Sequence, residues 1–243
     1  MTAIGIFSVK GSPGATSLAL ALAAHGRERG AVLIEADAAG GDVALRFGIA
    51  QHPGLAQLAA RVRHTDGGRD VIEGLVRTTG STGSEAAHVV PAPVEPAAVT
   101  AALDALATRP QAIGDVARSR PVLLDCGRLD PDAPAYALFA SCPVKVLVVR
   151  GDAVSLGHAR EAGWMSDLPG LGFVLIDTGP YRAAEAVSVL QIPCFGTVPA
   201  ARKPLRGRRA ARAVRAVWDA VAEPASEPRE PAAVPELAQV SAR

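Results

Sequence analysis

The stretch Ile4-Gly5-Ile6-Phe7-Ser8-Val9-Lys10-Gly11-Ser12-Pro13-Gly14-Ala15-Thr16-Ser17, running on into Leu18–Ala24, decides the fold. The apolar β-formers Ile4, Ile6, Phe7 and Val9 predict a buried strand, and the change at Thr16 to strong helix formers predicts a helix start. Between them, Gly11 and Gly14 let successive N–H groups turn inward. The helix N-terminus adds partial positive charge, so the loop has the makings of a phosphate cradle. Thr16 supplies the hydroxyl that such loops set on a magnesium ion. A turn that uses glycine for geometry alone would share the local pattern. The strand before the loop and the helix after it favour the phosphate site.

The lysine is displaced from its ordinary place. In the usual Gly-Lys-Ser/Thr ending, Ala15 occupies the lysine position, whereas Lys10 opens the loop. Residues 10–17 resemble the deviant Walker A motif, Lys-Gly-Gly-x-Gly-Lys-Thr-Thr, of the MinD/ParA family of dimeric ATPases. The resemblance implies that Lys10, Gly11, Ser12, Pro13, Gly14, Ala15, Thr16 and Ser17 bind nucleotide. It also implies that Lys10 reaches across a nucleotide-sandwich dimer to the partner's phosphates. Lys10 matches the first lysine of the motif, and Ala15 departs from the second. In this the loop is most similar to the CpaE/TadZ branch, which carries Ala or Ser there and positions pilus-assembly and secretion machinery at cell poles. Ser12 replaces a glycine and Pro13 removes an N–H donor. A missing charged hydrogen bond costs about 1.5–3 kcal/mol, enough to weaken nucleotide binding by one or two orders of magnitude.

Further matches follow downstream. Val32-Leu-Ile-Glu-Ala-Asp37-Ala-Ala-Gly-Gly-Asp42 is a short apolar strand that ends in carboxylates and a glycine turn. It brings Asp37 to the carboxyl edge of a parallel sheet, where α/β folds bind ligands. The resemblance makes Asp37 the switch aspartate that orients the attacking water, with Glu35 standing where many members have a second Asp. The other reading of Asp37 is a cap for a short helix after Asp42. Arg120-Pro-Val-Leu-Leu-Asp125-Cys-Gly127 resembles the Walker B strand, whose carboxylate holds magnesium. Thr16 and Asp125 are therefore the expected magnesium residues, and Lys10 and Asp37 the expected catalytic ones. Strands over Val144–Val149 and Gly172–Ile176 flank a helix-like stretch from Ala153 to Met165. Ile192–Pro199 resembles the late strand and turn that touch the nucleotide base. At the position where the family often has Asn to read adenine stands Asp177. An ionised Asp accepts hydrogen bonds and donates none, so it suits guanine better, unless it is only a turn residue.

Composition narrows the function classes. A chain of 243 residues with 49% hydrophobic content can build one large domain with a full core. Its apolar runs are too short and Ala-rich to cross a bilayer, and its N-terminus reads as the first strand rather than a signal peptide, so a cytoplasmic location is expected. Cys126, Cys142 and Cys194 lack metal-ligand spacing, as do the five histidines. A zinc enzyme and a His-dependent nucleophile are disfavoured. The net charge of +1 conceals a local asymmetry. From Leu205 to Val221, helical spacing puts Ala210, Val214, Val217, Trp218 and Val221 on one side and Arg208, Arg209, Arg212 and Arg215 on the other. The basic side suits DNA phosphates, anionic lipid headgroups, an acidic partner, or solvent alone. Residues 223–243 form a proline-rich acidic tail with too little apolar surface to order itself. His64–Glu85 reads as a helix with flanking loops. The CpaE/TadZ group usually carries a receiver-like N-terminal domain, and with the first strand beginning at Thr2 none is expected here.

The expected fold is thus an α/β, doubly wound, mainly parallel sheet with helices on both faces over residues 1–222. The resemblance implies ATP and magnesium as cofactors, a nucleotide-dependent homodimer and a protein partner, with peripheral membrane association through that partner. Two functions are compatible with it. One is a nucleotide-gated positioning or assembly factor with slow or negligible hydrolysis. The other is an active partitioning ATPase that binds DNA through the arginine face.

Overall fold

The computed structural model describes residues 2–11, 14–26, 29–64, 69–80, 86–200 and 207–222. Ser12, Pro13, Leu205 and the 223–243 tail lie outside the described residues.

The first strand, β1 (Ala3–Ser8), sits in the middle of an eight-stranded sheet. After α1 (Ala15–His25) the chain continues through β2 (Val32–Glu35), α2 (Val43–Phe47), α3 (Leu55–His64), β3 (Arg77–Thr78) and β4 (His88–Val90). Next come α4 (Pro96–Ala107), α5 (Gln111–Ala117), β5 (Val122–Arg128), α6 (Tyr136–Ala140) and β6 (Val144–Arg150). The last elements are α7 (Ala153–Glu161), β7 (Leu171–Asp177), α8 (Ala183–Leu190), β8 (Cys194–Pro199) and α9 (Arg208–Ala222). The strand order is β3-β4-β2-β5-β1-β6-β7-β8, and every pairing is parallel except β3 with β4. This is the expected doubly wound sheet.

Alternation along the strands sorts the core into two layers, because successive side chains point to opposite faces. Ile4 and Ile6 of β1, Leu33 of β2 and Val146 and Val148 of β6 pack against Leu18 and Leu22 of α1 and Val214, Val217, Trp218 and Val221 of α9. Phe7, Ile34, Leu124 and Leu147 face the other way, toward Leu55, Leu103, Ile113, Phe139 and Leu156 of the helices on the opposite side. The strands are near-continuous apolar runs because both faces are covered. The amphipathic reading of α9 holds: its five expected core residues are buried and its four arginines exposed.

Two stretches differ from expectation. After α3 ends at His64, the described part of the region up to Glu85 holds a 3-10 turn (Arg69–Ile72) and the edge strand β3 rather than a helix. Positive φ at Gly74 (70°) and Gly80 (73°) stops a helix from continuing, and Thr79 is tied into the sheet instead. Its N–H donates to the Ala87 carbonyl and its Oγ1 accepts from the Ala87 N–H, both at 2.9 Å. The stretch from Ala153 to Met165 is also not one helix: α7 stops at Glu161, Ala162 leaves helical geometry at ψ 68°, and a 3-10 turn over Gly163–Met165 follows.

Candidate nucleotide site

All the parallel strands present their carboxyl ends on one edge, and Lys10, Gly11, Gly14–Ser17, Asp37, Asp177 and Pro199 lie toward it. Gly14 precedes α1 with φ 101°, a conformation an L side chain rarely adopts. It has no side chain to cap the helix, so the first N–H groups of α1 are left for another acceptor. Ala15, in the place of the second lysine, is buried within the first turn. Thr16 follows it, its hydroxyl toward Asp125 in the middle of β5.

There Asp125 is wholly buried. Its Oδ1 accepts the Gly127 N–H at 3.2 Å, while Oδ2 has no hydrogen-bond partner among the described residues. Burial pushes the carboxyl up to about 7; the Thr16 hydroxyl and the Gly127 N–H oppose that rise, and the nearby Glu35 and Asp37 carboxylates add to it. Three carboxylates thus converge on one strand edge.

Asp37 is fixed from two sides. Its Oδ1 accepts the Ala39 N–H at 2.9 Å. Its other oxygen lies over Gly127, where a Cβ would come within 2.0 Å of Oδ2. Gly127, at φ 57°, is therefore required both by its backbone and by the aspartate above it. Partial burial raises the Asp37 carboxyl, against the Ala39 hydrogen bond. The short helix after Asp42 is held by Glu35 rather than by Asp37. Glu35 Oε1 accepts the N–H groups of Asp42 (2.7 Å) and Val43 (2.9 Å), and Oε2 accepts that of Ala92 at 2.9 Å. Glu35 thereby clamps the turn carrying Asp37 to the end of β4, and burial raises its carboxyl although three N–H groups oppose it. Sequence reasoning placed Glu35 only by analogy and passed over Gly127. A carboxylate inside an apolar strand was the signal that buried donors had to meet it.

Lys10 is exposed and turned onto α7, its Nζ 3.2 Å from His158 Nε2. It lines a cleft of about 370 Å³ with Gly11, Val149, Arg150, Asp152 and Ser155. Farther along the edge, Asp177 and Pro199 are register partners of β7 and β8, so the two residues expected at the base stand side by side. The Asp177 carboxylate is engaged, however. Oδ1 accepts from Arg182 at 2.7 Å, and Oδ2 lies 3.9 Å from Arg209. The arginine face of α9 thus begins beside Asp177.

No family model matches the chain, and no curated protein matches it. Solved structures do. The septum site-determining protein MinD of Pyrococcus horikoshii OT3, complexed with Mg-ADP, aligns at TM-score 0.69 and 18% identity, covering 90% of this chain and 94% of that one. A ParA family ATPase of Chlorobium tepidum TLS aligns at TM-score 0.65 and 15% identity, covering 90% of each chain. Cobyrinic acid a,c-diamide synthase of Mycobacterium smegmatis, with bound ATP analog and magnesium, aligns at TM-score 0.59 and 15% identity, covering 90% and 93%. The fold is that of the MinD and ParA ATPases, and the synthase shows that it hosts more than one chemistry.

Proposed function

We propose that this protein is a nucleotide-gated positioning or assembly factor of the MinD/ParA type, most like the CpaE/TadZ branch. It binds ATP with magnesium at residues 10–17, hydrolyses it slowly or negligibly, and as a nucleotide-dependent homodimer recruits a partner machine. The observation that carries this reading is the wholly buried Asp125 carboxylate facing the Thr16 hydroxyl, with Oδ2 outside hydrogen-bond geometry to every described residue. A buried carboxylate oxygen without a donor is costly unless a cation meets it. A magnesium ion fits, because it asks the protein for only one or two oxygen ligands and takes the rest from phosphates and water. Asp125 and Thr16 would hold it, and it would neutralise charge on the phosphate oxygens. The backbone of Gly11 and Gly14–Ser17 would cradle the phosphates, and Asp177 and Pro199 would flank the base.

Ala15 supports slow turnover, since an ammonium there would have stabilised charge developing on a transferring phosphoryl group. The second reading, an active partitioning ATPase on DNA, draws support from the fixed position of Asp37 and the exposed arginines of α9. Calorimetric titration with ATP, ADP and GTP in magnesium tests the primary reading. ATP is expected to bind weakly, and Ala15→Lys to tighten it by about one to two orders of magnitude. If no nucleotide binds or stabilises the protein even at millimolar concentration, the chain is a plain scaffold.

A further inference from the structure

Lys10 makes a contact that phosphate binding does not call for. Its Nζ lies 3.2 Å from Nε2 of His158, an exposed residue of α7, while Lys10 and Gly11 face Ser155 and Ala159 of the same helix across the cleft. An ammonium carries donors only, so a hydrogen bond between the two groups needs Nε2 as the acceptor and the ring proton on Nδ1. The contact therefore fixes a tautomer as well as a direction, and it points Lys10 back onto its own protomer.

We propose that His158 is a positioning residue for Lys10: it latches the ammonium against α7, and the latch opens before Lys10 serves the nucleotide of a second copy. The proposal rests on the reading that Lys10 acts across a dimer. Self-association then competes with an internal hydrogen bond. An exposed bond of this kind shifts such an equilibrium by about two- to tenfold, so it tunes the concentration at which copies pair without forbidding pairing.

The test uses the full chain with magnesium and a non-hydrolysable ATP analogue, and reads self-association by analytical ultracentrifugation. His158→Ala, which removes the acceptor, is expected to lower the dimer dissociation constant by about two- to tenfold. His158→Glu, which offers Lys10 a carboxylate, is expected to raise it, and His158→Gln, which keeps an acceptor, to stay near wild type. A merely structural histidine would not move the constant in opposite directions for Ala and Glu. Independently, ¹⁵N spectra of the nucleotide-free protein should show the Nδ1–H tautomer of His158 in wild type and its loss in Lys10→Ala. Equal association of wild type, His158→Ala and His158→Glu overturns the latch while leaving the trans reading standing. Chains that bind nucleotide yet stay monomeric in every variant overturn both. A tautomer unchanged by Lys10→Ala removes the contact itself.

Discussion

A carboxyl enclosed by protein and faced by two other carboxylates keeps its proton well above the ordinary range, and Asp125 keeps it to about 7, chiefly through burial. The consequence for stability follows from proton counting. Below the ordinary value of 3.8, folded and unfolded chains both hold the proton and this residue contributes no pH dependence. Between 3.8 and about 7 only the folded chain holds it, so stability falls as pH rises, and above about 7 the loss is complete. The full span amounts to on the order of 4 kcal/mol. In nucleotide-free, magnesium-free buffer, Asp125→Asn should therefore melt higher than wild type at pH 8, with the gap closing toward pH 4. Adding ATP and magnesium at pH 8 should raise the wild type more than the variant, because only the wild type keeps the carboxylate that meets the ion. Scanning calorimetry across that range checks both statements. A wild type no less stable at pH 8 than at pH 5, relative to the variant, would refute the charge argument.

At the scale of elements, the turn after β2 is held in place by one side chain. Glu35 spends both oxygens on three backbone N–H groups, two at the start of α2 and one just past β4. Glu35→Ala leaves all three donors without that acceptor and should cost about 3–5 kcal/mol, measurable by urea denaturation. Glu35→Gln keeps one carbonyl oxygen for Asp42 and Val43 but turns a donor toward the Ala92 N–H. It should cost less than Ala while raising hydrogen exchange at Ala92 selectively. The same clamp explains what the sequence could and could not disclose. Strand and helix periods in Ile4–Ala24, and the apolar stripe of α9, are local patterns, and both elements stand where those patterns put them. The clustering of Asp37 and Asp125 was legible because each follows an apolar strand run, although β5 continues to Arg128 and Asp125 stands level with Glu35, the last residue of β2. Glu35 reaching Ala92, and Gly127 yielding its Cβ space to Asp37, are contacts between distant segments that no spacing encodes. The edge strand β3 escaped notice for a related reason: two residues are too few to display a period, and the pairing comes from His88 and Val89 of the neighbouring β4.

On the scale of the whole molecule, the sheet lays out a single edge with Lys10, Gly11 and the start of α1 near its centre and the arginine helix toward one end. Arg208, Arg209, Arg212 and Arg215 are exposed on α9 while Trp218 and Val217 bury its other side, so the four charges can be removed without touching the core. Arg209 and Arg182 both approach Asp177, which partly neutralises the end of the row nearest the loop. If the protein partitions DNA, these arginines contact phosphates, and the logarithm of the binding constant should fall with that of salt at a slope of roughly −0.9 per phosphate. If it positions a partner, duplex binding should be feeble at physiological ionic strength whatever nucleotide is present. The second outcome is expected, because the exposed face of the helix offers charge but few neutral polar side chains that fix a register on a duplex. Replacing all four arginines with alanine should then leave the melting temperature and the nucleotide affinity close to wild type and abolish capture of the partner or its place in the cell. Fluorescence anisotropy with duplex DNA across a salt series, with and without the ATP analogue, decides between them. Tight, nucleotide-dependent and steeply salt-dependent binding that the fourfold variant loses would move this protein to the partitioning class.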